Sequence, residues 1–163
     1  MDAQAALRGA LEGADSISTA YLNDLGDADL LVRPVPGANH IAWQLGHLIM
    51  AENSMIGDTC PGWMPPLPAG FAEKYTNDTA GSDDRHAFSS KDEYLRLYRE
   101  QRAATLKALG TVSEADLDRP APERYRHYCP TVGGVFNMQA THWLMHAGQW
   151  AVVRRKLGHK PLF

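Results

Sequence analysis

Basic clusters, cysteines and long apolar runs are all scarce in this 163-residue chain, and each scarcity excludes something. Lys and Arg total 16 against 19 Asp and Glu, for a net charge of −3. A nucleic-acid surface needs clustered cations. The one cluster here, Arg154-Arg155-Lys156, closes a predicted helix, where positive charge suits the helix dipole. Neither of the two cysteines, Cys60 and Cys129, belongs to a Cys-x-x-Cys redox pattern, and each precedes a proline. They read as incidental, with no setting that would activate a thiolate. No apolar segment approaches the length of a membrane span. The start, Met1-Asp2-Ala3-Gln4, has no basic stretch leading into an apolar run, so no secretory signal is expected and the reading is cytoplasmic. Alternating strand patterns and internal repeats are also missing.

What remains is an ordinary globular balance, 44% hydrophobic and 21% charged, read as one domain over 1–163. Helical periodicity dominates it. Leu7, Leu11, Ala14, Ile17, Tyr21 and Leu25 mark a helix from Asp2 to Asp24, and the prolines of Arg33-Pro34-Val35-Pro36-Gly37 interrupt the pattern. Asn39 reads as the cap of a second helix with Ile41, Leu45, Leu48, Met55 and Ile56 on its stripe, ending at Gly57. Ser89 or Ser90 caps a third that stops at Gly110, and Thr131 caps a last one that runs to Leu157 before Gly158. The expected fold is all-α, a four-helix bundle with a long loop, Asp58–Ser90, between helices two and three. Trp63, Met64, Leu67 and Phe71 are expected to anchor that loop as a cover. A short strand or hairpin is a weaker expectation near Tyr125-Arg126-His127-Tyr128.

Chemistry concentrates in the histidines. His142 and His146 are four residues apart, one turn on one helix face, a spacing at which two imidazoles can share a divalent metal. Trp143 follows His142 where a zinc peptidase would carry its glutamate, so that chemistry is disfavoured. Val135, Met138, His142, His146, Gln149 and Val153 share a narrow sector, expected to face the core. His47, beside the stripe of the second helix, is the best third ligand, and three imidazoles would leave an open position. His40, one heptad before His47, is expected at the pocket mouth. Trp43 and Gln44 share its face as candidate substrate-binding or outer residues. Gln149 either orients a ligand or satisfies a core carbonyl. Glu52 falls inside the apolar stripe; the favoured reading puts it in water at a fraying helix end, the alternatives being an outer partner of the site or a buried ion pair.

Three segments resemble one known family. Asn39-His40-Ile41-Ala42-Trp43-Gln44-Leu45-Gly46-His47-Leu48, Thr131-Val132-Gly133-Gly134-Val135-Phe136, and His142-x-x-x-His146-Ala147-Gly148-Gln149 with Arg154 following are similar, in that order, to the signatures of the DinB-like (damage-inducible) superfamily of metal-binding four-helix bundles. That superfamily includes thiol-dependent S-transferases such as bacillithiol transferases and mycothiol-dependent maleylpyruvate isomerases. The resemblance implies His47, His142 and His146 as metal ligands and a homodimer. Imidazole ligation suits zinc, nickel, iron or manganese, with zinc or nickel the leading expectation, and the lack of a protein nucleophile in the motif suits a low-molecular-weight thiol as co-substrate. The leading functional expectation is thiol S-transfer or isomerisation of a small molecule, with Trp43, Tyr21 and loop aromatics shaping an apolar electrophile site. The alternatives are a metal-assisted hydrolase, with Glu52 as its only candidate base, and a non-catalytic metal-binding stress-response protein.

Overall fold

A computed structural model describes residues 2–163. Four long helices carry the fold: α1 (Ala3–Leu22), α2 (Ile41–Thr59), α3 (Lys91–Leu109) and α5 (Val132–Lys156), with a single turn, α4 (Glu114–Leu117), before the last. The local chemistry accounts for most boundaries. Asp2 accepts from the Ala5 N–H, Ser90 from Glu93 and Thr131 from Gly134, each satisfying a backbone donor that the first turn leaves free. Gly158 follows α5 at φ +86°, the left-handed conformation that closes a helix and that glycine adopts without strain. Two boundaries differ from expectation. The second helix is capped by His40 rather than Asn39, because the imidazole Nδ1 accepts from the Trp43 N–H at 3.1 Å. It also continues through Gly57 to Thr59, since an interior glycine weakens a helix without ending one.

The interior falls into two apolar clusters. One gathers Trp43, Leu48, Tyr75, Tyr94, Leu97, Trp143 and Trp150, and the other Leu11, Met55, Leu109, Leu117, Val135 and Phe136. Indoles as fully buried as Trp143 and Trp150 each remove about 150–250 Å² from water. Between the clusters lies a buried polar layer. The Arg102 Nη2 donates to Glu52 Oε2 at 3.0 Å and to the Gln139 carbonyl at 3.2 Å. The Thr105 hydroxyl donates to Glu52 Oε1 at 2.7 Å, and Arg102 Nε lies 3.5 Å from Asp15, which Tyr98 also bonds. Glu52 is 1% exposed, so the expectation of a fraying, solvated end is corrected: α2 runs well past it, and the buried ion pair holds. Asp15, Glu52, Arg102 and Gln139 come from all four long helices, so the layer sets their register.

The long connection between α2 and α3 packs as a cover, with two 3-10 turns, Ala72–Tyr75 and Arg85–Ala87. Its anchors are Phe71, Tyr75 and Phe88, all buried; Trp63, expected among them, is 41% exposed. Tyr75 lies so close to α2 that a β-carbon on Gly46 would overlap its ring. The Arg33 guanidinium donates to the carbonyls of Ala38, Ala80 and Ser82 and pairs with Asp83, clasping the far end of the cover. The hairpin expected near Tyr125 is replaced by a 3-10 turn, Glu123–Tyr125. Among the described residues the β pairing is a single bridge between Pro120 and Thr131, and no helix is long and apolar enough to cross a membrane.

Candidate metal centre

The two helices that carry the histidines, α2 and α5, bring His47, His142 and His146 together. One ring nitrogen of each lies within 4.8 Å of the others. His142 and His146 meet through their Nε2 atoms at 3.3 Å, as the four-residue spacing requires of two imidazoles on one helix face. The His47 ring centre is 5.2 Å from that of His142 and 5.9 Å from that of His146. Among the described residues this is the one cluster of three potential ligands drawn from His, Cys, Asp and Glu, and no carboxylate or thiol belongs to it.

The sector holding His142, His146 and Gln149 does not point straight into the core. At about 100° per residue, Phe136, Gln139, Trp143 and Trp150 lie roughly a quarter-turn further round α5 and are fully buried, as are Val135 and Val153 within the histidine sector itself. His146 is buried, whereas His47, His142 and Gln149 are half-buried. The site therefore sits at the rim of the core.

Its walls are specific. The Trp43 indole lies nearly parallel to the His47 ring, 5.0 Å between centres and 8° between planes. Its Nε1–H donates to the Thr76 carbonyl and the Thr79 hydroxyl, so the cover holds this wall in place. Gln44 reaches His146: its Oε1 lies 3.0 Å from His146 Nδ1 and accepts from Trp150 Nε1 at 2.8 Å. Its Nε2 donates to Gln149 Oε1 at 2.9 Å and to the Asn39 carbonyl at 2.6 Å. Gln149 thus belongs to the site through Gln44.

Three expected participants stand elsewhere. His40 is fully buried, with Nδ1 capping α2 and Nε2 3.0 Å from the Ser82 carbonyl, so both nitrogens are engaged and the ring is not at a pocket mouth. Its stacking partner is Phe88, edge-on at 4.6 Å. Tyr21 packs against Phe163 and beneath the Arg154 guanidinium near the C-terminal end of α5. Glu52 is five residues beyond His47, about 7 Å along α2, and its oxygens are committed to Arg102 and Thr105. Neither cysteine belongs to the histidine cluster; Cys129 belongs to the second apolar cluster and Cys60 packs against it. Burial raises the pKa of both thiols, the opposite of an activated nucleophile.

Burial also sets the charge of the triad. It pushes His142 down to about 3 and His146 to about 4, with the neighbouring histidines adding to the fall, and it lowers His47 as well. All three imidazoles are therefore neutral at pH 7, the form that ligates a metal. The unfolded chain takes up protons at His142 and His146 near pH 6.5, whereas the folded chain resists them until near pH 4. Their contribution to stability is complete above about pH 6.5 and is lost as pH falls toward 4. Urea midpoints measured in chelator should drop between pH 7.5 and 5, and by less in His142→Ala.

Comparison with known proteins agrees with this architecture. A family model described as the DinB superfamily matches residues 10–150. A crystal structure of a conserved protein from Enterococcus faecalis superposes with a TM-score of 0.71 at 18% identity, covering 97% of this chain and 99% of that one. At that identity the likeness speaks for the fold alone. No curated protein matches.

Proposed function

This chain belongs to the DinB superfamily, and from that premise we propose that it is a divalent-metal-dependent protein acting on a small thiol, by S-transfer or thiol-assisted isomerisation. The observation that carries the reading is the donor set: three neutral imidazoles converging at the core rim with no protein nucleophile or carboxylate among them. Such a set suits zinc or nickel. A divalent ion held by neutral ligands keeps its positive charge and lowers the pKa of a thiol or water beside it.

The chain's own residues supply the rest. His47, His142 and His146 would hold the ion, and Gln44 orients His146. Trp43, fixed by Thr76 and Thr79, offers an apolar wall for an electrophile. Hydrolysis would need a base to take a proton from water, and Glu52 is tied to Arg102 and Thr105. A homodimer and a cytoplasmic setting belong to the same proposal and rest on the resemblance and on the sequence.

Zinc- or nickel-loaded protein should convert a chromogenic electrophile only when a low-molecular-weight thiol is present, and His142→Ala should not. Ester turnover without thiol would replace this reading with hydrolysis. Metal uptake without turnover, across a panel of thiols, would leave a non-catalytic metal-binding protein.

A further inference from the structure

Gln44 carries four hydrogen bonds, and two of them involve groups whose roles are beyond choice. An indole Nε1–H can only donate, so the Gln44 atom 2.8 Å from Trp150 is the carbonyl oxygen. A backbone carbonyl can only accept, so the Gln44 atom 2.6 Å from Asn39 O is the amide nitrogen. These contacts, made from opposite sides, settle the orientation of the amide. His146 Nδ1 lies 3.0 Å from the same Oε1, an acceptor, and so must carry its proton there. In a neutral ring that leaves Nε2 as a bare lone pair. That atom is the one 3.3 Å from His142 Nε2.

We infer that Gln44 is the positioning residue of the cluster: it locks His146 as the Nδ1–H tautomer and so presents the Nε2 lone pair to the space shared with His47 and His142 before any metal arrives. The consequence for metal binding rests on the reading above; the tautomer does not. Neutral imidazole in water favours the other tautomer, with Nε2 protonated, so the bond to Gln44 works against the intrinsic preference. Among the described residues His47 makes no hydrogen bond and His142 bonds only His146, which leaves His146 the one ring of the three hydrogen-bonded to a side chain outside the cluster. Gln44 is itself braced by Trp150 and Gln149 on α5 and by Asn39 at the start of α2, so the helix pair and the ligand are set by one amide.

The test uses the metal-free full-length protein at pH 7.5. Long-range proton–nitrogen correlation spectra report which nitrogen of each ring is protonated, with His146 assigned by loss of its signals in His146→Ala. Wild type should show His146 protonated at Nδ1. Trp150→Phe, which removes a neighbouring donor from Gln44 but leaves the acceptor, should keep that pattern. Gln44→Met should shift His146 toward Nε2–H, and Gln44→Glu, which restores an acceptor oxygen, should return it to Nδ1–H. Zinc affinity, measured against a chromogenic chelator, should fall roughly 10–100-fold in Gln44→Met, as expected for an outer partner of a ligand, and much less in Trp150→Phe. Wild-type His146 protonated at Nε2, or an unchanged tautomer in Gln44→Met, would overturn the inference. The wild-type spectrum decides the tautomer even where a variant fails to fold. A wild type with the expected tautomer that takes up no zinc would uphold the role of Gln44 and remove the metal reading instead.

Discussion

His47→Ala and His142→Ala should each lower zinc affinity by more than the roughly 10–100-fold that loss of an outer partner brings, because each removes a ligand outright. Folding should be affected far less. Among the described residues His47 has no hydrogen-bond partner, and His142 bonds only His146. Both rings are half-buried at the core rim, so truncation opens little interior space. The two effects separate in one experiment. Thermal unfolding of wild type with zinc at a hundred times its dissociation constant should gain about 2.7 kcal/mol over the metal-free form. The alanine variants, at the same zinc concentration, should gain almost nothing while unfolding near the wild-type temperature in chelator. Equal zinc stabilisation of wild type and both variants would move the ion away from this cluster.

Arg102→Met is expected to be the most destabilising single change in the chain, by about 3–5 kcal/mol in denaturant unfolding at pH 7. Arg102 is 3% exposed and faces Glu52, which is 1% exposed, and its Nε faces Asp15. Removing the guanidinium leaves a carboxylate in the interior, answered by the neutral Thr105 hydroxyl and no cation. Burial already pushes the Glu52 carboxyl up, with Arg102 and Thr105 opposing that shift. Without Arg102 the group must take a proton or the helices must part. Glu52→Gln added to Arg102→Met should therefore recover part of the loss, because the second change removes the stranded charge. Simple additivity of the two losses would show that the pair is not coupled. Neither variant removes a residue of the histidine cluster, so zinc binding by the folded fraction should persist.

These two predictions divide according to what the sequence made legible. The His142–His146 pair is local, and one helical turn suffices to read it. The caps at Ser90 and Thr131 and the glycine at 158 are equally local. Which face of α5 turns inward was only partly legible, because that helix is apolar nearly all round. Leu144, Met145 and Val152 are exposed while Trp143, Trp150 and Val153 are buried. The histidine sector was expected to face the core: Val135, His146 and Val153 do, while Met138, His142 and Gln149 lie half-buried at its rim. Glu52 was misread because its partner is 50 residues away and no periodicity links them. His40 was misread because an imidazole is an unusual helix cap, and the cap looks like a site residue until both ring nitrogens are accounted for. The role of Gln44 depends on an indole 106 residues further on. Long-range polar partners were the part of this fold hidden from a linear reading.

The central claim is that these three histidines form one metal site. Elemental analysis of untagged wild-type protein, as purified and again after incubation with zinc or nickel followed by removal of free ion, tests it most directly. About one ion per chain, stripped by chelator and regained on addition, is the predicted result. Protein that carries no metal as purified and retains none after loading would contradict it, and would leave three neutral imidazoles gathered at the core rim without a ligand to hold.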